Sequence, residues 1–121
     1  MFKQEGYELM GAAFEVYNVL GYGMAEEIYQ QSLEVELGLR NIPFQTKAEL
    51  RVAYKDRILA TVYEPDLLVF SQIIVELKSA SQLASGHDAQ LFNYMRVSKK
   101  KVGYLINFGA PKELEWKRFV L

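Results

Sequence analysis

Asp66, Glu76 and Lys78 carry the reactive chemistry that this 121-residue sequence offers. They lie in the stretch Glu64-Pro65-Asp66-Leu67-Leu68-Val69-Phe70-Ser71-Gln72-Ile73-Ile74-Val75-Glu76-Leu77-Lys78. Residues 73–77 are mostly β-branched or aliphatic, which predicts a short buried strand. Alternation along that strand puts Glu76 and Lys78 on one face and Val75 and Leu77 on the other. A carboxylate and an ammonium on a core strand cost a great deal to desolvate unless something uses them. Asp66, brought in by a neighbouring strand, would complete a hard-oxygen site for Mg2+ or Mn2+, with a carbonyl such as that of Leu77 as a further ligand. Such an ion polarises a phosphoryl oxygen and acidifies water, while Lys78 orients the water or stabilises developing charge. That is the machinery of metal-assisted phosphodiester hydrolysis. A plainer reading stands beside it: a Glu76–Lys78 ion pair at a strand end, with Asp66 in a turn. Pro65 fits both, since it either re-aims Asp66 or simply marks a strand boundary.

Other polar residues divide in the same way. Glu26 and Glu27 open a helix, where the macrodipole favours acids. Helical spacing puts Glu27 with Gln30, Gln31 and Glu34 on a polar arc. Glu26 falls at the edge of the Tyr29, Leu33, Leu37 stripe, so it is expected to face the core side and to need a partner such as a metal or its water. Glu15 shares a face with Glu8 and reads as solvated. His87, Gln90 and Tyr94 share one face of a later helix. Gln90 and Tyr94 could bond a phosphate or steady a metal ligand, and His87 reads either as a site residue or as a hydrogen-bonded packing residue. Arg96, Lys99, Lys100 and Lys101 at that helix's end suit the dipole, or phosphate contact.

The elements that must position these residues follow from periodicity. Residues 4–20 predict a helix, with Met10, Ala13, Phe14, Tyr17 and Leu20 at helical spacing, broken by Gly21 and Gly23. A second helix runs from about Met24 to Leu39, and Pro43 marks its end. Strands are expected near 44–54, near 58–69 and over 73–78, with a turn at Lys55-Asp56. A helix over 85–97 and a strand over 101–108 come next; residues 114–121 read equally as an edge strand or a short helix. This order implies an α/β sandwich around a mixed sheet.

The length fits one domain, residues 1–121, with no repeat or linker. The absence of cysteine excludes disulfides and Cys-bearing zinc sites. With no signal-like N-terminus and no apolar run near the roughly 20 residues of a membrane span, a cytoplasmic protein without membrane contact is expected. Net charge is −1, yet residues 1–39 hold seven acids and one base while residues 40–121 hold thirteen bases and eight acids. A basic surface beside an acidic pocket is therefore permitted. A glycine-rich phosphate loop, a catalytic cysteine, paired histidines and a Gly-x-Ser-x-Gly turn are all absent, which removes those classes.

Taken together, these residues form recognisable motifs. Gly23-Met24-Ala25-Glu26-Glu27-Ile28-Tyr29 matches GxxExxY, Pro65-Asp66 with Glu76-Leu77-Lys78 matches PD-(D/E)XK, and Gln90 with Tyr94 looks like QxxxY. The chain thus resembles the GxxExxY proteins of the PD-(D/E)XK nuclease superfamily, from about Gly11 to Phe108. The resemblance implies a restriction-endonuclease-like αβββαβ core, a central mixed sheet flanked by helices, and a magnesium-dependent phosphodiesterase site. By position it makes Asp66 and Glu76 metal ligands, Lys78 the catalytic lysine, Glu26 the supporting acid, and Gln90 and Tyr94 accessory. Tyr22 departs from the proline often found between the two glycines, a change that bears on loop stiffness.

The leading expectation is a metal-dependent nuclease acting on DNA. The runner-up is a nucleic-acid-binding module that depends on a protein partner or homodimer for activity, or does not cut. A structural protein whose buried acids are all ion-paired is a third reading.

Overall fold

The computed structural model describes residues 1–121. The chain runs α1 (Lys3–Leu20), α2 (Glu26–Leu39), β1 (Phe44–Thr46), β2 (Leu50–Tyr54), β3 (Arg57–Tyr63), β4 (Leu67–Val69), β5 (Ile73–Lys78), α3 (Ser85–Ser98), β6 (Val102–Asn107) and β7 (Glu115–Val120). Five strands form one sheet in the order β1-β4-β5-β6-β7, while β2 and β3 make a separate hairpin. Within the sheet β5 and β6 are parallel and all other pairs antiparallel. Parallel neighbours need a long crossover, and α3 supplies it. This is the expected mixed sheet flanked by helices.

Alternation on β5 sorts the core into two layers. Val75 and Leu77 pack with Leu9, Val16, Tyr29 and Leu33 of α1 and α2. Ile74 faces the other way, with Leu91 and Met95 of α3 and Tyr63 of the hairpin. Glu76 and Lys78 continue the Ile74 face, as the sequence predicts.

Three expectations need correction. Phe14 of the α1 stripe is 39% exposed, while Met10 and Ala13 are buried; the stripe centres on Leu9, Ala12, Ala13 and Val16 instead. The expected strand over 44–54 breaks at Lys47, whose φ is 50°, and β2 leaves the main sheet. The expected strand over 58–69 breaks at Glu64-Pro65. Proline offers no N–H to a ladder, so the chain changes sheets there, from hairpin to β4. Lys55-Asp56 does make the hairpin turn, and the tail forms edge strand β7.

Candidate active site

The β4–β5 ladder ends at the Leu67–Val75 rung, and beyond it two carboxylates tie the strands together. Asp66 Oδ2 accepts a hydrogen bond from the Leu77 amide at 2.8 Å, and Glu76 Oε1 accepts one from the Asp66 amide at 3.1 Å. Each acid thus satisfies a backbone donor of the other strand, which the interior requires. Gln30 Nε2 donates to the Asp66 carbonyl at 2.9 Å, and the Lys47 amide donates to the same oxygen at 3.3 Å. Lys47 Nζ lies 3.6 Å from Asp66 Oδ1. Asp66 is therefore fixed from three segments, and Pro65 delivers it as the chain crosses between sheets.

Glu76 is held from the other side. Its Oε1 also accepts the Tyr63 hydroxyl at 2.8 Å. Burial pushes the Glu76 carboxyl up to about 7 and the Asp66 charge adds to the rise, against the pull of Tyr63, the Asp66 amide and Lys78. Burial likewise drives the Tyr63 phenol far above its ordinary value, so it remains a donor to Glu76. Lys78 is half-buried beside them, yet it makes no ion pair with Glu76 within 4.0 Å. The expected alternative of a Glu76–Lys78 ion pair is not what the structure contains.

Asp66 opens onto a polar cleft of about 290 Å³ whose walls include Glu26, Glu27, Gln30, Glu34 and Lys47. Glu26 is exposed there rather than turned to the core. The physical reason is that α2 begins at Glu26; helical side chains tilt toward the N-terminus, so the first residue projects past the end of the packed stripe. Glu27 lines the same cleft. Asp66 and Glu76 form the close pair, and no group of three His or acidic side chains is gathered to hold a metal.

The loop presenting Glu26 is tied down by Tyr29. This fully buried phenol donates to the Gly21 carbonyl at 2.7 Å and accepts from the Met24 amide at 3.1 Å, while its ring stacks on Phe108 at 4.5 Å. Gly21 and Gly23 have φ of 77° and 85°, a region open to glycine at little cost. Ser79, next to Lys78, donates its hydroxyl to the Met24 carbonyl. The tyrosine that ends the GxxExxY motif therefore fastens the loop, and the motif's glutamate meets the cleft.

The remaining predicted residues are spread more widely. Tyr94 stacks face to face on Tyr63, with centroids 4.0 Å apart and planes 4° from parallel. Gln90 is exposed on the same helix. His87 Nδ1 accepts the Ala84 amide at 3.3 Å, a hydrogen-bonded place at the start of α3. Arg96 bonds Asn93, Lys99 adopts a left-handed helix-ending conformation, and Lys100 Nζ donates to the Ser71 carbonyl at 3.2 Å. These cations sit near the Ile73–Val102 rung, whereas Lys78 pairs with Asn107. Five residue steps, roughly 17 Å, separate the two ends, so the structure does not gather this cluster around the carboxylates. Glu15 is exposed. Sequence reasoning missed Tyr63, Gln30 and Lys47. Tyr63 alone left a signal, as a tyrosine three residues before Asp66 in an otherwise apolar strand end.

A larger cavity, about 750 Å³, lies elsewhere, against α1, Tyr104 and Trp116, and shares no lining residue with the cleft.

A family model described as the PD-(D/E)XK nuclease superfamily matches residues 3–119. The crystal structure of SSO0001 is similar in fold, with a TM-score of 0.56 and 20% identity; the match covers 98% of this chain and 59% of that one. The chain thus spans well under two thirds of that neighbour's length. No curated protein sequence matches significantly.

Proposed function

This chain belongs to the PD-(D/E)XK nuclease superfamily, and from that premise we propose that it is a metal-dependent nuclease of the GxxExxY type, hydrolysing phosphodiester bonds of DNA. One observation carries the reading: the reciprocally bonded Asp66–Glu76 pair, with Lys78 on the same face and free of an ion pair with Glu76. The donor set fits a hard divalent cation. Glu76 Oε2 lies outside the bonds described and Asp66 Oδ1 meets only Lys47 at 3.6 Å, while the repulsion between the two carboxylates is what a cation relieves. Asp66, Glu76 and the Leu77 carbonyl would hold Mg2+ or Mn2+, with Glu26 supporting from across the cleft, and the ion would supply Lewis acidity toward a phosphate oxygen. Lys78 orients the attacking water and offsets charge on the phosphoryl oxygens; the water oxygen bonds to phosphorus, the ester P–O bond breaks, and the proton ends on the leaving oxygen. Gln90 is accessory, facing the nucleic acid from α3.

A partner-dependent binding module is the second reading, favoured by the fact that no three ligands are preassembled. Cleavage of labelled single-stranded DNA, duplex DNA and RNA with Mg2+ or Mn2+, wild type against Asp66→Asn, decides between them. Cutting that needs metal and disappears in the variant supports the nuclease. Calorimetric metal binding without cutting supports the partner-dependent module.

A further inference from the structure

We infer that Tyr63 and Tyr94 form a positioning pair for Glu76, in which Tyr94 acts through its ring on Tyr63 and not through its hydroxyl on nucleic acid; the inference rests on the metal-site reading above. Three observations carry it. The Tyr63 hydroxyl meets Glu76 Oε1 at 2.8 Å, and the same oxygen takes the Asp66 amide at 3.1 Å. Oε1 therefore carries two protein donors, and the second oxygen takes part in neither bond. A carboxylate on a flexible stem has several rotamers, and this clamp selects one. Second, Tyr63 is only 7% exposed and closes β3 just before the Glu64-Pro65 crossing, so it is anchored to the segment that delivers Asp66. Tyr63 thereby bears on both acids, on Glu76 through its hydroxyl and on Asp66 through the chain. Third, the Tyr94 ring lies flat on Tyr63 at 4.0 Å, and its hydroxyl makes no hydrogen bond within the protein, so the stack is its visible contribution to the site. Parallel packing of that kind fixes the plane in which the Tyr63 hydroxyl points. Hydrogen-bonded partners of ligating carboxylates orient them, and losing one typically costs about 10–100-fold in metal affinity or activity.

The test uses the full chain and Mn2+ alone, by calorimetry, with melting temperature and the kcat-against-KM split measured in parallel. Tyr63→Phe keeps the stack and removes the bond. It should weaken Mn2+ binding about 10-fold or more and lower kcat with KM for DNA unchanged, at near-native melting temperature. Tyr94→Phe keeps the ring and with it the stack on Tyr63, so Mn2+ binding should be retained. Tyr94→Leu removes the stack and should weaken Mn2+ binding, with no further loss when combined with Tyr63→Phe. Should Tyr63→Phe fold poorly, the Tyr94→Phe and Tyr94→Leu comparison decides. Equal Mn2+ affinity in wild type, Tyr63→Phe and Tyr94→Leu overturns the positioning role and leaves the metal site standing. A raised KM in Tyr94→Phe overturns it in favour of direct nucleic-acid contact. Wild type that binds no Mn2+ overturns the site and the pair together.

Discussion

Glu76 meets opposing demands that pH resolves. Its carboxyl is raised from 4.5 to about 7, first by burial and then by Asp66. A group whose folded pKa is raised binds its proton more tightly in the native state, so its contribution to stability is full below about 4.5 and is lost as pH rises through about 7. The swing is on the order of 3 kcal/mol. Metal-free protein should accordingly lose melting temperature between pH 5 and 8, and Glu76→Gln, which keeps the two hydrogen bonds to its oxygen, should flatten that slope. Metal binding runs in the opposite sense because it needs the carboxylate: the rise in melting temperature on adding Mg2+ should be larger at pH 8 than at pH 6, and absent in Glu76→Gln. Lys78 has a separate consequence. Because it makes no ion pair with Glu76, Lys78→Met should leave the fold within about 1 kcal/mol of wild type while abolishing cleavage; a large loss of stability would point instead to a structural lysine.

Elements decide whether these residues arrive. The loop between α1 and α2 must bend through two left-handed glycines and still present Glu26, and Tyr29 holds it by both hydrogen-bonding capacities of one phenol. Tyr29→Phe preserves the stack on Phe108 but orphans the Met24 amide and the Gly21 carbonyl, a cost of about 1–3 kcal/mol readable by urea unfolding. At the far end of β5, fully buried Asn107 pairs in register with Lys78 and clamps the following segment. Its Oδ1 accepts the Ala80 and Gly109 amides, and its Nδ2 donates to the Ala80 carbonyl and Glu115. Gly109 leaves no room there, since a Cβ would collide with the Ala80 backbone. Asn107→Leu should cost about 2–4 kcal/mol, because several backbone groups lose their partner at once.

Across the whole molecule, stability is distributed unevenly. Strands β5 and β6 are buried almost throughout and zipped over six rungs. The β2–β3 hairpin pairs only with itself, and six of the seven residues of β3 are exposed or only partly buried. Few buried contacts and solvent-facing hydrogen bonds mark the low end of local stability. Amide hydrogen exchange should be fastest in 50–62 and slowest in 73–77 and 102–107; equal protection would mean the hairpin is braced more firmly than its packing implies. No helix is long and apolar enough to cross a membrane.

The sequence by itself determined the helices, the buried strand of Ile73–Lys78, the sidedness of Glu76 and Lys78, and the motif that names the superfamily, because each rests on local periodicity or on residue types at fixed spacing. It also marked Pro65 as a break without deciding what broke. Only the tertiary structure decided that the chain changes sheets at Lys47 and again at Pro65, since sheet membership depends on which distant strand is free to pair. It turned Glu26 out to the cleft, because a helix's first residue lies beyond the stripe that periodicity extends to it. The cations after α3 went to the opposite end of β5 from the acids, a matter of strand direction that composition does not carry. Tyr63 came to Glu76 across thirteen positions, and a hydrogen bond between two strands leaves no periodic trace in either of them.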